Sequence, residues 1–198
     1  INLKNELQKK GIFIKVLVNN AEKDPKMNSE TKESGSLENY QIEELQESLS
    51  VGVIGTVICS KIFGSLMASK KNGSIINISS DLGVNAPDQR VYHSSENIKK
   101  VKIFKPIGYS ISKHAISGIT KYIATYWAHK NIRCNTLVLG AVIHAQSKSL
   151  IKNIKKRVPL NRLAKKSEYR EAIKFLASDK SQYMTGQSLI MDGGRTVW

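Results

Sequence analysis

The sequence is poor in cysteine and has no long hydrophobic run. Its two cysteines, Cys59 and Cys134, lie in apolar stretches and read as buried, reduced thiols of a cytoplasmic protein. The longest apolar run, VGVIGTVICSKIFG, has about 14 residues and carries Lys61, too short and too charged to cross a bilayer, so no membrane partner is expected. The opening INLKNELQKKG has no apolar core of the kind a signal peptide needs. The four histidines, His93, His114, His129 and His144, stand singly and read as surface or satisfied side chains. No metal-ligand spacing is visible. No internal repeat or low-complexity linker divides residues 1–198, which read as one domain.

Acidic residues are also scarce. Lys and Arg number 31 against 16 Asp and Glu, a net charge of +15. Such a charge raises the question of nucleic acid. The lysines, however, spread over helix-like stretches such as IKNIKKRVPLNRLAKK and are not interleaved with aromatics. No nucleic-acid partner is expected; attraction of a phosphorylated or nucleotide-linked substrate is the milder reading.

What is present is alternation. IKVLV (14–18), SIINIS (74–79), IRCNTLVL (132–139) and SLIM (188–191) are short apolar runs with β-branched residues and predict buried strands. Helical patterns fill roughly 38–70, 109–129 and 167–178. Continuous apolar strands separated by helices predict an α/β fold with a parallel sheet covered on both faces. Leu45, Leu49, Val53 and Val57 on the first long helix, and Ile116, Ile119, Ile123 and Trp127 on the second, are expected in the core or a subunit interface. Residues 81–108 and 140–166 fit neither pattern. Both leave carboxyl ends of strands, where open α/β sheets bind ligands.

Asn19 and Asn20 end the first strand, in VNNA, and Ser79 and Ser80 end the second. YSISK places Tyr109 and Lys113 on one face of a helix. TGQSLIMDGG follows near the C-terminus. In this order the pieces resemble the short-chain dehydrogenase/reductase family over roughly residues 12–198. The resemblance implies a Rossmann-type doubly wound sheet, NAD or NADP as cofactor, and Ser80, Tyr109 and Lys113 as catalytic residues. A free phenol ionises near pH 10. The Lys113 ammonium and an oxidised nicotinamide are expected to lower that value, so that Tyr109 exchanges a proton with a substrate oxygen that Ser80 also bonds. Ser79 is expected to bond backbone instead. Asn19, Asn20, Ala21, Tyr109, Lys113 and Gly140 are the implied cofactor contacts. Asp192, Gly193 and Gly194 match the family's structural DGG turn.

The interval from Ser80 to Tyr109 is longer than is usual in the family, which implies an inserted substrate loop at about 81–108. With NNAEKDPK and MTGQSLIMDGGRTVW, it resembles the subgroup linked to bacterial surface-polysaccharide and flagellin-modifying sugars. That implies a sugar or nucleotide-sugar substrate, with Ser80, Asp88, Gln89 and Arg90 as substrate contacts. Two readings of Arg90 stay open: pairing with a phosphate or carboxylate, or pinning the loop together with Asp88. A homodimer or homotetramer through residues 38–70 and 109–129 is expected.

Four departures qualify the resemblance. The glycine-rich loop and its strand-helix-strand half, which cradle the pyrophosphate, are missing. The chain also opens on Ile1 rather than methionine, so an N-terminally truncated domain is expected. Glu22 stands where the family has a glycine, in NNAE. Gly52 stands where the family has a helix asparagine that supports a proton relay to the lysine, so a water or another group must replace it. Leu139-Gly140 replaces the usual Pro-Gly.

Overall fold

The computed structural model describes residues 2–24, 35–92 and 103–198. Four parallel strands form one sheet in the order β1-β2-β3-β4: Val16–Asn19, Gly73–Ser80, Ile132–Leu139 and Ser188–Met191. The α/β class and the parallel sheet are as expected, with strand ends moved by at most two residues. The helices are α1 (Asn2–Lys9), α2 (Ile42–Lys70), α3 (Ile107–Tyr126), α4 (Lys148–Lys155) and α5 (Arg170–Ala177).

Residues alternate across a strand, and the two central strands sort their side chains accordingly. Ile75, Ile132 and Cys134 pack with Met67 of α2 and Ile123 and Ala124 of α3 on one face. Ile76, Ile78 and Leu137 pack with Ala172 and Leu176 of α5 on the other. Every residue of β2 is buried, which is why it reads as an unbroken apolar run. β1 differs: Val16 and Val18 are 36% and 39% exposed, and among the described residues β1 pairs on one side only.

Helix α2 corrects the expected stripe. The buried positions are Ser48, Gly52, Thr56, Ser60, Gly64 and Met67, mostly small residues four apart. Val57, expected in the core or a subunit interface, is 45% exposed and so not in the core, and Leu45, Leu49 and Val53 are half-buried. Small residues let the helix lie close: a Cβ on Gly64 would sit 2.4 Å from the Trp127 ring. On a pure α-helix, positions four apart drift by about 40° per step. Two π-helical turns, Ser50–Ile54 and Ser60–Gly64, wind less per residue and take up that drift. By length and hydropathy α2 also meets the requirement for a membrane span, but its small-residue face packs on the sheet and α3.

Helix α4 is a second correction, since 140–166 showed no clear pattern. Ser147 caps it by accepting a hydrogen bond from the Leu150 N–H. Its Ile154 joins Val91, Val158 and Leu163 in a third cluster that anchors the loop after β2. Of the expected insertion, residues 93–102 lie outside the described residues, as does His93.

Candidate active site

β2 ends at Ser80, and the chain turns at once into a single 3-10 turn, Asp81–Gly83. The Ser80 hydroxyl donates to Asp81 Oδ1 at 2.8 Å and accepts the Leu82 N–H at 3.2 Å. Asp81 is buried and its other oxygen takes Arg195 at 2.8 Å, from the C-terminal segment. Ser80 is therefore locked in place by the turn and by Arg195. Ser79 points the other way and donates to the Lys113 carbonyl at 2.9 Å, bonding backbone as expected.

α3 opens after Pro106, which suits a first turn because its missing N–H would have no helical partner. Gly108 lets α3 approach α2: a Cβ there would lie 3.1 Å from Ser48 Oγ of α2 and 2.5 Å from the hydroxyl of Tyr40, just before it. Tyr109 is half-buried, with the Ser80 hydroxyl among the groups that act on its phenol. Lys113, one turn on, is buried, with its ammonium 5.7 Å from the Tyr109 ring centroid. It donates to the Ile78 carbonyl at 3.1 Å and pairs with Glu22 at 3.1 Å. The structure thus brings Ser80, Tyr109 and Lys113 together at the carboxyl end of the sheet.

The chain's own groups push the Tyr109 phenol up, whereas the expected lowering includes the charge of an oxidised nicotinamide. Burial raises the phenol most, the Ser80 hydroxyl opposes this, and the carboxylates of Asp24, Asp81 and Glu22 push it further up. A second cation, missed in the sequence, lies over the ring: Lys105 Nζ is 3.9 Å from the Tyr109 centroid. Lys105 is buried and paired with Asp24, and Gln89 holds its backbone at both N–H and carbonyl. Asp24 and Arg195 reach the site from distant segments; Lys105 stands only four residues before Tyr109, but outside the helix, where no motif marks it.

The other implied contacts fare differently. Asn19 is buried, and its amide donates to Ser60 at 3.1 Å and Asn77 at 2.8 Å, tying β1 to α2 and β2. Asn20 and Ala21 are exposed beyond the end of β1. Gly140 is buried; its N–H bonds Met191 and its carbonyl accepts from Tyr169 at 3.1 Å. A Cβ there would fall 2.6 Å from the Asp192 backbone, so close strand packing explains the glycine. Arg90 clasps Asp88 with two bonds, at 2.8 and 3.0 Å, and Arg157 adds a third at 2.9 Å. Asp88, Gln89 and Arg90 therefore bond within their own loop and its neighbours. Cys134 is buried, but Cys59 is only partly so, against expectation.

The fold and this cluster define a Rossmann-type protein with a serine, a tyrosine and a lysine at one end of a parallel sheet. The family model described as enoyl-(acyl carrier protein) reductase matches residues 2–196, and the chain belongs to the short-chain dehydrogenase/reductase family. An uncharacterized short-chain type dehydrogenase/reductase of Sinorhizobium fredii is 29% identical over 98% of this chain and 32% of its own length. The post-translational flagellin modification protein A of Campylobacter coli is 28% identical over 82% of this chain and 62% of its own. A short-chain dehydrogenase from Leptospira borgpetersenii, solved with bound NAD+, superposes with a TM-score of 0.85 at 30% identity, covering 98% of this chain and 70% of that one. The chain thus spans only part of each of these relatives.

Proposed function

We propose that the protein of which this chain is a part is an NAD(P)-dependent oxidoreductase. It moves hydride between the cofactor and a hydroxyl or carbonyl carbon of a sugar or nucleotide-sugar. The observation that carries the reading is Tyr109 and Lys113 one helical turn apart on α3, with the Lys113 ammonium 5.7 Å from the Tyr109 ring centroid and bonded to the Ile78 carbonyl two residues before Ser80.

The donor set fits a nicotinamide ribose and a substrate oxygen: a phenol, a hydroxyl and an ammonium at strand carboxyl ends. The fit is to that half of the cofactor, since the sequence holds no glycine-rich phosphate cradle. Tyr109, Lys113 and the backbone of Asn20 and Ala21 would hold it. Bound, the cofactor supplies hydride or, oxidised, accepts it and adds positive charge. Tyr109 passes a proton to the substrate oxygen in reduction and takes it back in oxidation. Ser80, fixed by Asp81, orients that oxygen. Lys113 and Lys105 favour the phenolate against the three nearby carboxylates.

The sugar assignment rests on the likeness to the flagellin-modification protein and on the loop at 81–92 beside Tyr109. The net charge of +15 favours a phosphorylated substrate. A 3-oxoacyl substrate is the second reading, favoured by the description of the matching family model. Self-association is also proposed. Val57, Tyr122 and Tyr126 are exposed along a groove between α2 and α3, and an apolar groove of that kind suits a second copy.

Nicotinamide fluorescence during titration of this chain tests cofactor binding. A panel of nucleotide-sugars and 3-oxoacyl thioesters, given to the full-length protein, separates the two substrates. Tyr109→Phe is expected to cut turnover by about 10²–10⁴-fold; undiminished turnover sinks the reading. Light scattering gives the oligomeric state, and a monomer at all concentrations refutes self-association.

A further inference from the structure

The two sequence departures, Glu22 and Gly52, meet in space. Glu22 lies just beyond β1 and Gly52 in a π-helical turn of α2. The Glu22 side chain is buried. One of its oxygens takes both the Lys113 ammonium, at 3.1 Å, and the Ser112 hydroxyl, at 2.9 Å. The other accepts the Lys23 N–H at 3.1 Å. Both oxygens are thus satisfied, and the buried ammonium has an anionic partner, without which its burial would be strongly unfavourable.

Gly52 is what makes this seat possible. A Cβ there would lie 2.6 and 2.7 Å from the two Glu22 oxygens and 2.1 Å from Ser112 Oγ. Glycine inside a helix costs about 0.5–1 kcal/mol relative to alanine, so the position has a packing reason. With any larger residue at 52, the carboxylate could not occupy its present place.

We propose that Glu22 is the positioning residue of Lys113. Its carboxylate, seated over Gly52, fixes the ammonium beside the Tyr109 phenol and contributes a negative charge that the phenol feels. This rests on the Tyr109–Lys113 reading above. The charged groups around Tyr109 are Lys105 with Asp24, Asp81 with Arg195, and Lys113 with Glu22. Glu22 is among the carboxylates that raise the phenol. Removing its charge while keeping its shape therefore favours the phenolate.

Two measurements on the cofactor-free chain test the seat. The first is a cycle of urea unfolding on the wild type, Glu22→Gly, Gly52→Ala and the double variant. Gly52→Ala is expected to reduce the folding constant at least tenfold more with Glu22 present than without it; equal reductions overturn the seat. The second is trace acetylation read by mass spectrometry on Glu22→Gln, which keeps the shape and lowers the risk of misfolding. Lys113 is expected to label at least tenfold faster while Lys105 is unchanged; an unchanged Lys113 rate overturns the pairing. The third measurement is the pH profile of turnover in the full-length protein. Glu22→Gln is expected to move the limb that reports the Tyr109 phenol to lower pH, and an unmoved limb overturns the electrostatic part. Tyr109→Phe separates the two claims: if it leaves turnover intact the oxidoreductase reading fails, while the first two measurements still decide on the Glu22 seat.

Discussion

Thr120→Val probes the polar chain that holds the helix of Tyr109 against the sheet. Thr120 Oγ1 of α3 accepts from Asn77 Nδ2 at 2.9 Å and from Thr136 Oγ1 at 2.8 Å, and all three residues are buried. Asn77 in turn accepts from Asn19 at 2.8 Å, so the chain links β1, β2, β3 and α3. Valine keeps the shape of threonine and removes the oxygen. The Asn77 N–H then keeps only Cys134 Sγ at 3.5 Å, and the Thr136 hydroxyl loses its partner. Two buried groups left short cost about 1–3 kcal/mol each, and an extra buried methyl offsets about 0.8 kcal/mol. The net destabilisation is about 1–5 kcal/mol, a fall in Tm on the order of 10 °C for a chain of this size. Circular dichroism during thermal and urea unfolding reads it. Adding Thr136→Val removes one stranded hydroxyl, so the double variant should recover about 1 kcal/mol. A loss below about 0.5 kcal/mol for Thr120→Val, or strict additivity in the double variant, would refute the reasoning.

Three further outcomes follow from the described contacts. Arg195→Met strands the buried Asp81 carboxylate and should cost about 3–5 kcal/mol in urea unfolding, whereas Asp81→Asn with Arg195→Met should cost less. Glu168 grips Arg162 with two bonds of 2.7 Å, which hold its carboxyl down at about 2. A depressed folded value means stability present above the ordinary carboxylate range and lost as pH falls, so the Tm gap between wild type and Glu168→Gln should close between pH 4.5 and about 2. Burial pushes the Cys134 thiol up to about 12, so native-state titration with a thiol reagent should modify Cys59 first and Cys134 only on unfolding.

The sheet was legible because β2 and β3 are covered on both faces and must be apolar throughout. The small-residue face of α2 was not, since hydrophobic periodicity points to large side chains and here selects the outer face. Helix α4 was hidden by its lysines, which leave only a narrow apolar stripe ending in Ile154. Ser80, Tyr109 and Lys113 were readable because they stand in short local patterns at strand and helix ends. Asp24 and Arg195 were not, because only the folded chain brings them near; Lys105, four residues before Tyr109, was missed because it precedes Pro106 and the helix and so shares no helical face with Tyr109. Glu22 and Gly52 were visible singly as departures, but their contact depends on how α2 crosses the end of β1. The roles of Asp88 and Arg90 were left open, and the geometry shows the two engaged with each other.

Among the described residues β1 pairs on one side only, and this bears on how this chain behaves in solution. A strand paired on one side presents a row of N–H and C=O groups, and Val16 and Val18 flank it with exposed apolar surface. Such a rim is a mould for any extended segment that alternates in the same way. A net charge of +15 keeps molecules apart while salt is low. Added salt screens that repulsion and leaves the backbone groups of the rim as ready to pair as before. Salt-induced association of this chain is then expected to draw on the backbone of β1 as well as on its exposed apolar side chains.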